Sequence, residues 1–131
     1  MTENHSLFSD YDVVYTYTRA QAIADGALVD VTRTARAAGL RFPVALTAEL
    51  WNSFIIPPRE SELNCMSIDG RLWTTLYLFR CAAAECESDM LCFDVPYVMK
   101  GRAQTLVKLK AVCGPGDSGE PVITIMLPYE D

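Results

Sequence analysis

The polar and apolar positions that follow Tyr17 predict a short helix with its own start and stop signals. Thr18 and Gln21 are spaced as a capping box, in which each side chain accepts the hydrogen bond of an amide at the helix start. Gly26 supplies the positive φ at which helices commonly end. The pattern therefore predicts a helix over residues 19–25.

The same sequence of helix start and stop signals recurs directly afterwards. Residues 28–31 form a brief extended apolar piece, Thr32 is placed as a helix cap, and Gly39 as a stop. We therefore expect a second short helix over residues 33–38, joined to the first by an extended bridge.

The polar residues 1–10 predict a frayed, disordered N-terminal segment. Residues 11–17 alternate Val and Tyr with Val and Thr, which is typical of a short β segment. The ordered part is therefore expected to be one globular domain over residues 11–131.

The middle of the chain predicts a third helix and a surface loop. Residues 42–46 are an apolar approach to Thr47, which is placed to cap a helix over residues 48–55 that ends before two prolines. Leu50 and Trp51 are expected to face inward. Residues 57–68 lose hydrophobicity and indicate a loop at the surface.

Asp69 is placed to cap the longest helix, over residues 71–85. Apolar and aromatic side chains recur there at spacings of one, three and four, which indicates a central packing helix. The side chains assigned to this stripe are Leu72, Trp73, Leu76, Tyr77, Arg80, Ala83 and Ala84.

Three β-rich stretches finish the chain, over residues 90–97, 105–113 and 122–127. Short turns separate them, so they predict an antiparallel β-meander. Pro96 and Pro121 are expected at strand ends or on edges, because proline cannot donate to a ladder. The fold class is therefore α+β, with a meander of three or more strands packed on one long helix and several short helices.

Length, charge and composition limit the classes of function that the chain can have. A chain of 131 residues with 50% hydrophobic positions buries about two-thirds of its unfolded surface and folds without a partner. The net charge is -6, whereas nucleic-acid binding requires a basic face for the phosphates. Direct DNA or RNA binding is therefore not expected. No apolar run reaches the ~20 residues that span a bilayer.

An odd number of cysteines without a preceding secretory signal peptide predicts free thiols in a reducing compartment, the cytoplasm. No spacing among them matches a zinc site. We expect neither a metal nor a cofactor. The five cysteines are Cys65, Cys81, Cys86, Cys92 and Cys113.

Residues 114–121 contain a near copy of the Gly-Asp-Ser-Gly-Gly-Pro signature around a trypsin-like serine nucleophile. Such a serine needs a histidine as general base, and His5 in the polar N-terminal stretch is the sole histidine of the chain. The chain also has about half the length of the paired barrels that carry this chemistry. We therefore interpret Asp117 and Ser118 as part of a turn between two strands.

Four stretches resemble a family of small proteins from bacterial plasmids, prophages and other mobile elements. They are residues 18–31, residues 42–47 with Trp51, residues 69–73, and residues 113–128. The resemblance brings no established reaction, ligand or catalytic residue. It implies a setting in which small acidic proteins often counter host restriction or CRISPR systems.

The leading hypothesis is a small acidic inhibitor of a host defence system, either anti-CRISPR or anti-restriction. It would block a basic surface on a defence protein or ribonucleoprotein complex by charge complementarity. The candidate partner-binding residues are the densest carboxylates of the chain, Glu85, Glu87, Asp89 and Asp94.

Two alternatives stay open. A small enzyme would use Asp25 and Asp30 for acid–base chemistry, with Arg19 as an anion clamp. The pattern favours a non-enzymatic function, because such carboxylates more often cap helices or form ion pairs. A homo-oligomeric structural protein, such as a homodimer, would pair through a sheet edge or through Trp51 and Phe54.

Overall fold

The computed structural model describes residues 17–57, 67–99 and 104–131. The predicted frayed segment 1–10, nearly all of the predicted strand 11–17 and most of the loop 57–68 lie outside these residues. In chain order the elements are α1 (Arg19–Asp25), β1 (Leu28–Asp30), α2 (Thr32–Ala37), β2 (Val44–Thr47), α3 (Ala48–Leu50) continued by a π-helix (Trp51–Ile55), α4 (Ile68–Ala83), β3 (Met90–Val98), β4 (Gln104–Pro115) and β5 (Pro121–Met126).

The sheet has five strands in the order β1-β2-β5-β4-β3. Strands β3, β4 and β5 pair antiparallel in sequence, with Phe93 opposite Leu109 and Ala111 opposite Ile125. The α+β class and the predicted meander are confirmed. Pro96 lies in the edge strand β3, where a missing amide is tolerated.

Strands β1 and β2 extend the meander into a mixed sheet. β1 comes from the predicted extended bridge. β2 comes from residues 42–46 and Thr47, which the sequence predicts only as an apolar approach and a helix cap. β2 pairs parallel with β5, and Val44, Ala45 and Leu46 are fully buried. A short, wholly apolar run of this kind is typical of a strand covered on both faces.

The capping signals of α1 are confirmed. The Gln21 amide donates to Thr18 Oγ1 at 3.0 Å, and the Thr18 amide donates to Gln21 Oε1 at 2.9 Å. Gly26 ends the helix with φ 85°. All the groups involved lie within a few residues of each other, which is why the sequence predicts this helix well.

The predicted caps of α2 and α4 are wrong. Thr32 is the first residue of α2 rather than its cap, and its hydroxyl donates to Asp30 Oδ1 at 2.6 Å and accepts from the Val44 amide at 3.1 Å. α4 is capped by Ser67, whose Oγ accepts from the Gly70 amide at 3.2 Å, so the helix begins before the residue predicted to cap it.

The buried face of α4 matches the predicted stripe only in part, with Leu72 and Leu76 buried as predicted. Trp73 and Tyr77 are exposed by 42% and 45%, and Arg80 is exposed as well. The core side of the helix instead includes two polar side chains, Arg71 and Thr75, which are exposed by 2% and 0%. Hydrogen bonds make their burial tolerable, because a buried polar group needs a partner.

Arg71 joins three elements around Tyr97. Its Nε donates to the Phe54 carbonyl at 2.8 Å, its Nη1 donates to the Val98 carbonyl at 3.0 Å, and its guanidinium lies 5.2 Å from the centre of the Tyr97 ring. The Tyr97 hydroxyl is 2.6 Å from Thr75 Oγ1. This polar cluster links the π-helix, α4 and the edge strand β3.

The two sheet faces carry different helices. On one face, apolar side chains of β2, β3, β4 and β5 form the core with α2, α4 and the π-helix. On the other face, α1 lies across β5, where the Arg19 Nη1 donates to Thr124 Oγ1 at 2.7 Å. α1 thus adds a partial second helical layer on the face opposite the core.

Candidate functional site

Three of the four predicted partner-binding carboxylates lie together. Glu85, Glu87 and Asp89 are exposed in the connection between α4 and β3, residues 84–89, which we call the acidic connection. Within the described part of the chain, none of these carboxylates forms a hydrogen bond or an ion pair. Their charges are therefore available to a partner.

Asp94 is separate from this group. It lies in the middle of β3, exposed on the face that points away from the core, and its Oδ1 is 3.4 Å from Lys108 Nζ on the neighbouring strand. The sequence places Asp94 near the other three, but the structure puts it on a different surface with a charge partner of its own.

Main-chain hydrogen bonds fix the acidic connection. The Cys86 amide donates to the Ala83 carbonyl at 3.1 Å, which extends the last turn of α4. The Cys113 amide on β4 donates to the Asp89 carbonyl at 2.7 Å, and the Met90 amide donates to Ser88 Oγ at 3.2 Å. The connection is thus tied to the sheet at the end where β3 begins.

An apolar pocket of about 150 Å³ opens beside the acidic connection. Phe79 of α4 forms one wall, and Leu91, Ala111 and Ile123 of three neighbouring strands form the other. Asp89 stands among the lining residues. The acidic connection therefore forms part of the rim of an apolar pocket.

A second compartment of about 320 Å³ continues from this pocket toward the end of α2. The two compartments share four lining residues and together form one groove, which we call the apolar cleft. The shared residues are Phe42, Phe79, Ala83 and Ile123. Arg41 and Arg80 line the far compartment. The cleft thus runs from an acidic rim to a basic one.

The residues of the enzyme alternative are only partly brought together. Arg19 and Asp30 line one open cleft of about 210 Å³ over α1, together with Asp117 and Glu120. Asp25 is not among its lining residues, and its Oδ2 accepts from the Tyr17 hydroxyl at 3.0 Å.

The guanidinium of Arg19 is already used by the protein. Besides Thr124, it donates to the Ile123 carbonyl at 2.8 Å. Burial lowers the pKa of Arg19, opposed by the nearby carboxylates of Asp30, Asp117 and Glu120. These contacts anchor α1 to β5 and occupy two of the five N–H donors of the guanidinium.

The protease-like motif forms the turn between β4 and β5, as interpreted from the sequence. The Asp117 carboxylate accepts from the Arg19 amide at 2.8 Å and the Ala20 amide at 3.0 Å. These two hydrogen bonds lower the pKa of Asp117. The aspartate thus caps α1 from a distant turn, a role that local sequence patterns do not reveal.

Ser118 shows no activated hydroxyl. Its amide donates to Glu120 Oε1 at 2.9 Å, while its hydroxyl makes no hydrogen bond within the described residues. His5 lies outside the part of the chain that the structure describes. The described contact of Ser118 is that of a turn residue, and the contacts of Asp117 with α1 are the part of the motif that the turn interpretation did not include.

Four described cysteines, Cys81, Cys86, Cys92 and Cys113, are free thiols, and Cys65 falls outside the described ranges. Across residues 17–57, 67–99 and 104–131, no three His, Cys, Asp or Glu side chains are grouped to hold a metal ion. In the same ranges, no helix has the length and apolar character needed to cross a membrane.

The fold and cleft define a small acidic α+β protein with an apolar groove between two oppositely charged rims. A family model matches residues 4–131, and the chain belongs to this family, DUF6573, a family of unknown function. No curated protein and no solved structure matches the chain.

Proposed function

We propose that this protein is a small acidic inhibitor that binds a basic surface on a host defence protein and blocks it. The observation that carries the proposal is the acidic connection, where Glu85, Glu87 and Asp89 are exposed and unpaired within the described chain beside an apolar pocket. Protein interfaces commonly combine an apolar centre with a charged rim.

The overall charge supports a protein partner over a nucleic acid. A net charge of -6 repels phosphates, but it steers the molecule toward a basic groove that binds DNA or RNA. Occupying such a groove would exclude the nucleic acid. This is the action expected of an anti-CRISPR or anti-restriction protein, and the resemblance to proteins of plasmids and prophages supports that choice.

The alternatives have less support. The enzyme hypothesis needs Arg19 as a free anion clamp, but its guanidinium donates to Thr124 and Ile123. The homodimer hypothesis retains the edge strand β3, but Trp51 and Phe54 are half-buried and pack against the core. Measuring the mass of the protein in solution separates a dimer from a monomer.

The proposal is tested by phage or plasmid challenge of bacteria that carry a defined restriction or CRISPR system. Expression of the protein should abolish protection by at least one system. Glu85→Gln/Glu87→Gln should restore protection, because it removes two of the unpaired charges on the acidic connection.

The matched control is Asp69→Asn/Asp131→Asn, which removes two exposed charges elsewhere and has the same effect on net charge. This control should still inhibit. Equal loss of inhibition in both double variants would show that bulk charge acts rather than the acidic connection. Full protection in every strain expressing the wild-type protein would contradict the proposal.

A further inference from the structure

We propose that the apolar cleft binds a small carboxylic acid that carries an apolar group about the size of a benzene ring. The carboxylate would face Arg41 and Arg80, and the apolar group would enter the pocket beside Phe79. The ligand proposal does not rest on the proposed inhibition, because binding of the acid is measured on the purified protein alone, although both proposals involve the pocket beside the acidic connection.

The inner compartment fits such a group in size and polarity. Its volume is about 150 Å³, and an apolar protein cavity of about this volume holds benzene. Phe79, Leu91, Ala111 and Ile123 supply aromatic and aliphatic contacts, so moving an apolar ligand from water into this space is favourable.

The outer compartment supplies the charge for a carboxylate. Within the described residues, the guanidinium groups of Arg41 and Arg80 have no hydrogen-bond or ion-pair partner. A guanidinium presents a planar set of donors that matches both oxygens of a carboxylate. Two unpartnered guanidinium groups at one mouth of an apolar groove select an anion there.

Gly39 helps to position Arg80. A Cβ atom at Gly39 would lie 2.9 Å from Arg80 Nε and 3.2 Å from Arg80 Cζ, so the guanidinium packs directly against the glycine backbone. Gly39 also has φ 97°, which disfavours any residue with a side chain. The backbone therefore leaves room for the guanidinium at the cleft mouth.

The rims also set the direction of the ligand. Asp89 lines the inner compartment, so a ligand carboxylate pointing inward would be repelled by a like charge. The opposite orientation places the ligand carboxylate beside Arg41 and Arg80. A neutral alcohol lacks the charge and the second oxygen that the two guanidinium groups match, and a protonated amine is repelled by them. Selectivity for the carboxylate head group is therefore the diagnostic property.

The test uses 3-phenylpropionate, with 3-phenylpropanol as its neutral analogue, in calorimetric titrations of the wild-type protein. We expect the acid to bind at least tenfold more tightly than the alcohol. Arg80→Gln should remove about tenfold of the acid affinity and leave alcohol binding unchanged. The matched control is Arg36→Gln, because Arg36 is exposed near the end of α2 and does not line the cleft.

Thiol labelling locates the ligand without any variant. Cys86 and Cys113 line the inner compartment, whereas Cys81 and Cys92 are exposed and line neither compartment. The acid should slow alkylation of the first pair by iodoacetamide, followed by peptide mass spectrometry, and leave the second pair unaffected. Equal affinity for the acid and the alcohol, or absence of selective protection, would overturn the proposal.

Discussion

The hydroxyl pair between α4 and β3 offers a sharp test of how this core tolerates polar groups. Thr75 Oγ1 lies 2.6 Å from the Tyr97 hydroxyl and 2.8 Å from the Arg71 carbonyl. Both side chains are almost wholly buried. Since Thr75 donates to the Arg71 carbonyl, the Tyr97 hydroxyl donates to Thr75.

Removing either partner should have unequal consequences. Tyr97→Phe deletes one hydrogen bond and leaves Thr75 with its carbonyl acceptor, so it should cost about 0.5–1.5 kcal/mol. Thr75→Val keeps the side-chain shape but leaves the Tyr97 hydroxyl buried without an acceptor, which should cost about 1–3 kcal/mol. Thr75→Val is therefore the more damaging change.

The double variant gives the decisive result. Replacing both partners with apolar groups of similar shape removes the buried unsatisfied hydroxyl. Adding Tyr97→Phe to Thr75→Val should therefore raise stability, although the same change lowers it in the wild-type protein. Urea denaturation measures each free energy of unfolding, and an unchanged slope confirms that the same surface is exposed.

Tyr77→Phe is the control, because Tyr77 lies on the same helix with 45% of its surface exposed and should change stability by less than about 0.5 kcal/mol. If Tyr97→Phe destabilises the Thr75→Val background as much as it does the wild type, the two hydroxyl groups are energetically independent. That outcome would refute the hydrogen-bond assignment.

Three further predictions concern charge. Burial raises the pKa of Tyr97 from 10.0 to about 12. The contribution of Tyr97 to stability is therefore intact below pH 10 and is lost as the pH rises toward 12. Tyr97→Phe should reduce this alkaline loss of stability in denaturation experiments. The hydrogen bonds to the start of α1 lower the pKa of Asp117 below 3.8, so stability is intact above that pH and falls in more acidic solution. Asp117→Asn should reduce this acid dependence and speed amide hydrogen exchange in α1. The pair of Asp94 and Lys108 is exposed, so Asp94→Asn should alter the free energy of unfolding by less than about 1 kcal/mol, and a larger loss in urea titrations would contradict this.

The elements that the sequence predicts best are formed by residues that lie close together in the chain. The capping box of α1 and its terminal glycine involve groups a few residues apart, and β3, β4 and β5 follow one another through turns. β2 is different, because its four residues become a strand by pairing with β5, far along the sequence. No local pattern specifies that pairing.

The same distinction applies to the candidate site. Glu85, Glu87 and Asp89 are close in sequence, so their common surface was predictable from the chain alone. The apolar cleft was not, because Phe42 and Ile123 reach it from separate parts of the sequence. The Asp117 contact with α1 was missed for the same reason.

The two charged rims of the cleft make the proposed inhibition and the proposed ligand separable by experiment. Glu85 and Glu87 lie in the connection after α4, whereas Arg80 lines the other compartment beside Gly39. Arg80→Gln should therefore lower the preference for the acid about tenfold and leave inhibition of the defence system intact.

A bound acid could still affect a partner at the acidic rim, because the inner compartment adjoins Asp89. If 3-phenylpropionate weakens binding of a purified defence complex by some factor, the complex must weaken binding of the acid by the same factor. Arg80→Gln should then shift this effect to higher concentrations of the acid without changing the partner affinity measured in its absence. An effect of the acid that persists unchanged in Arg80→Gln would place the coupling outside the cleft.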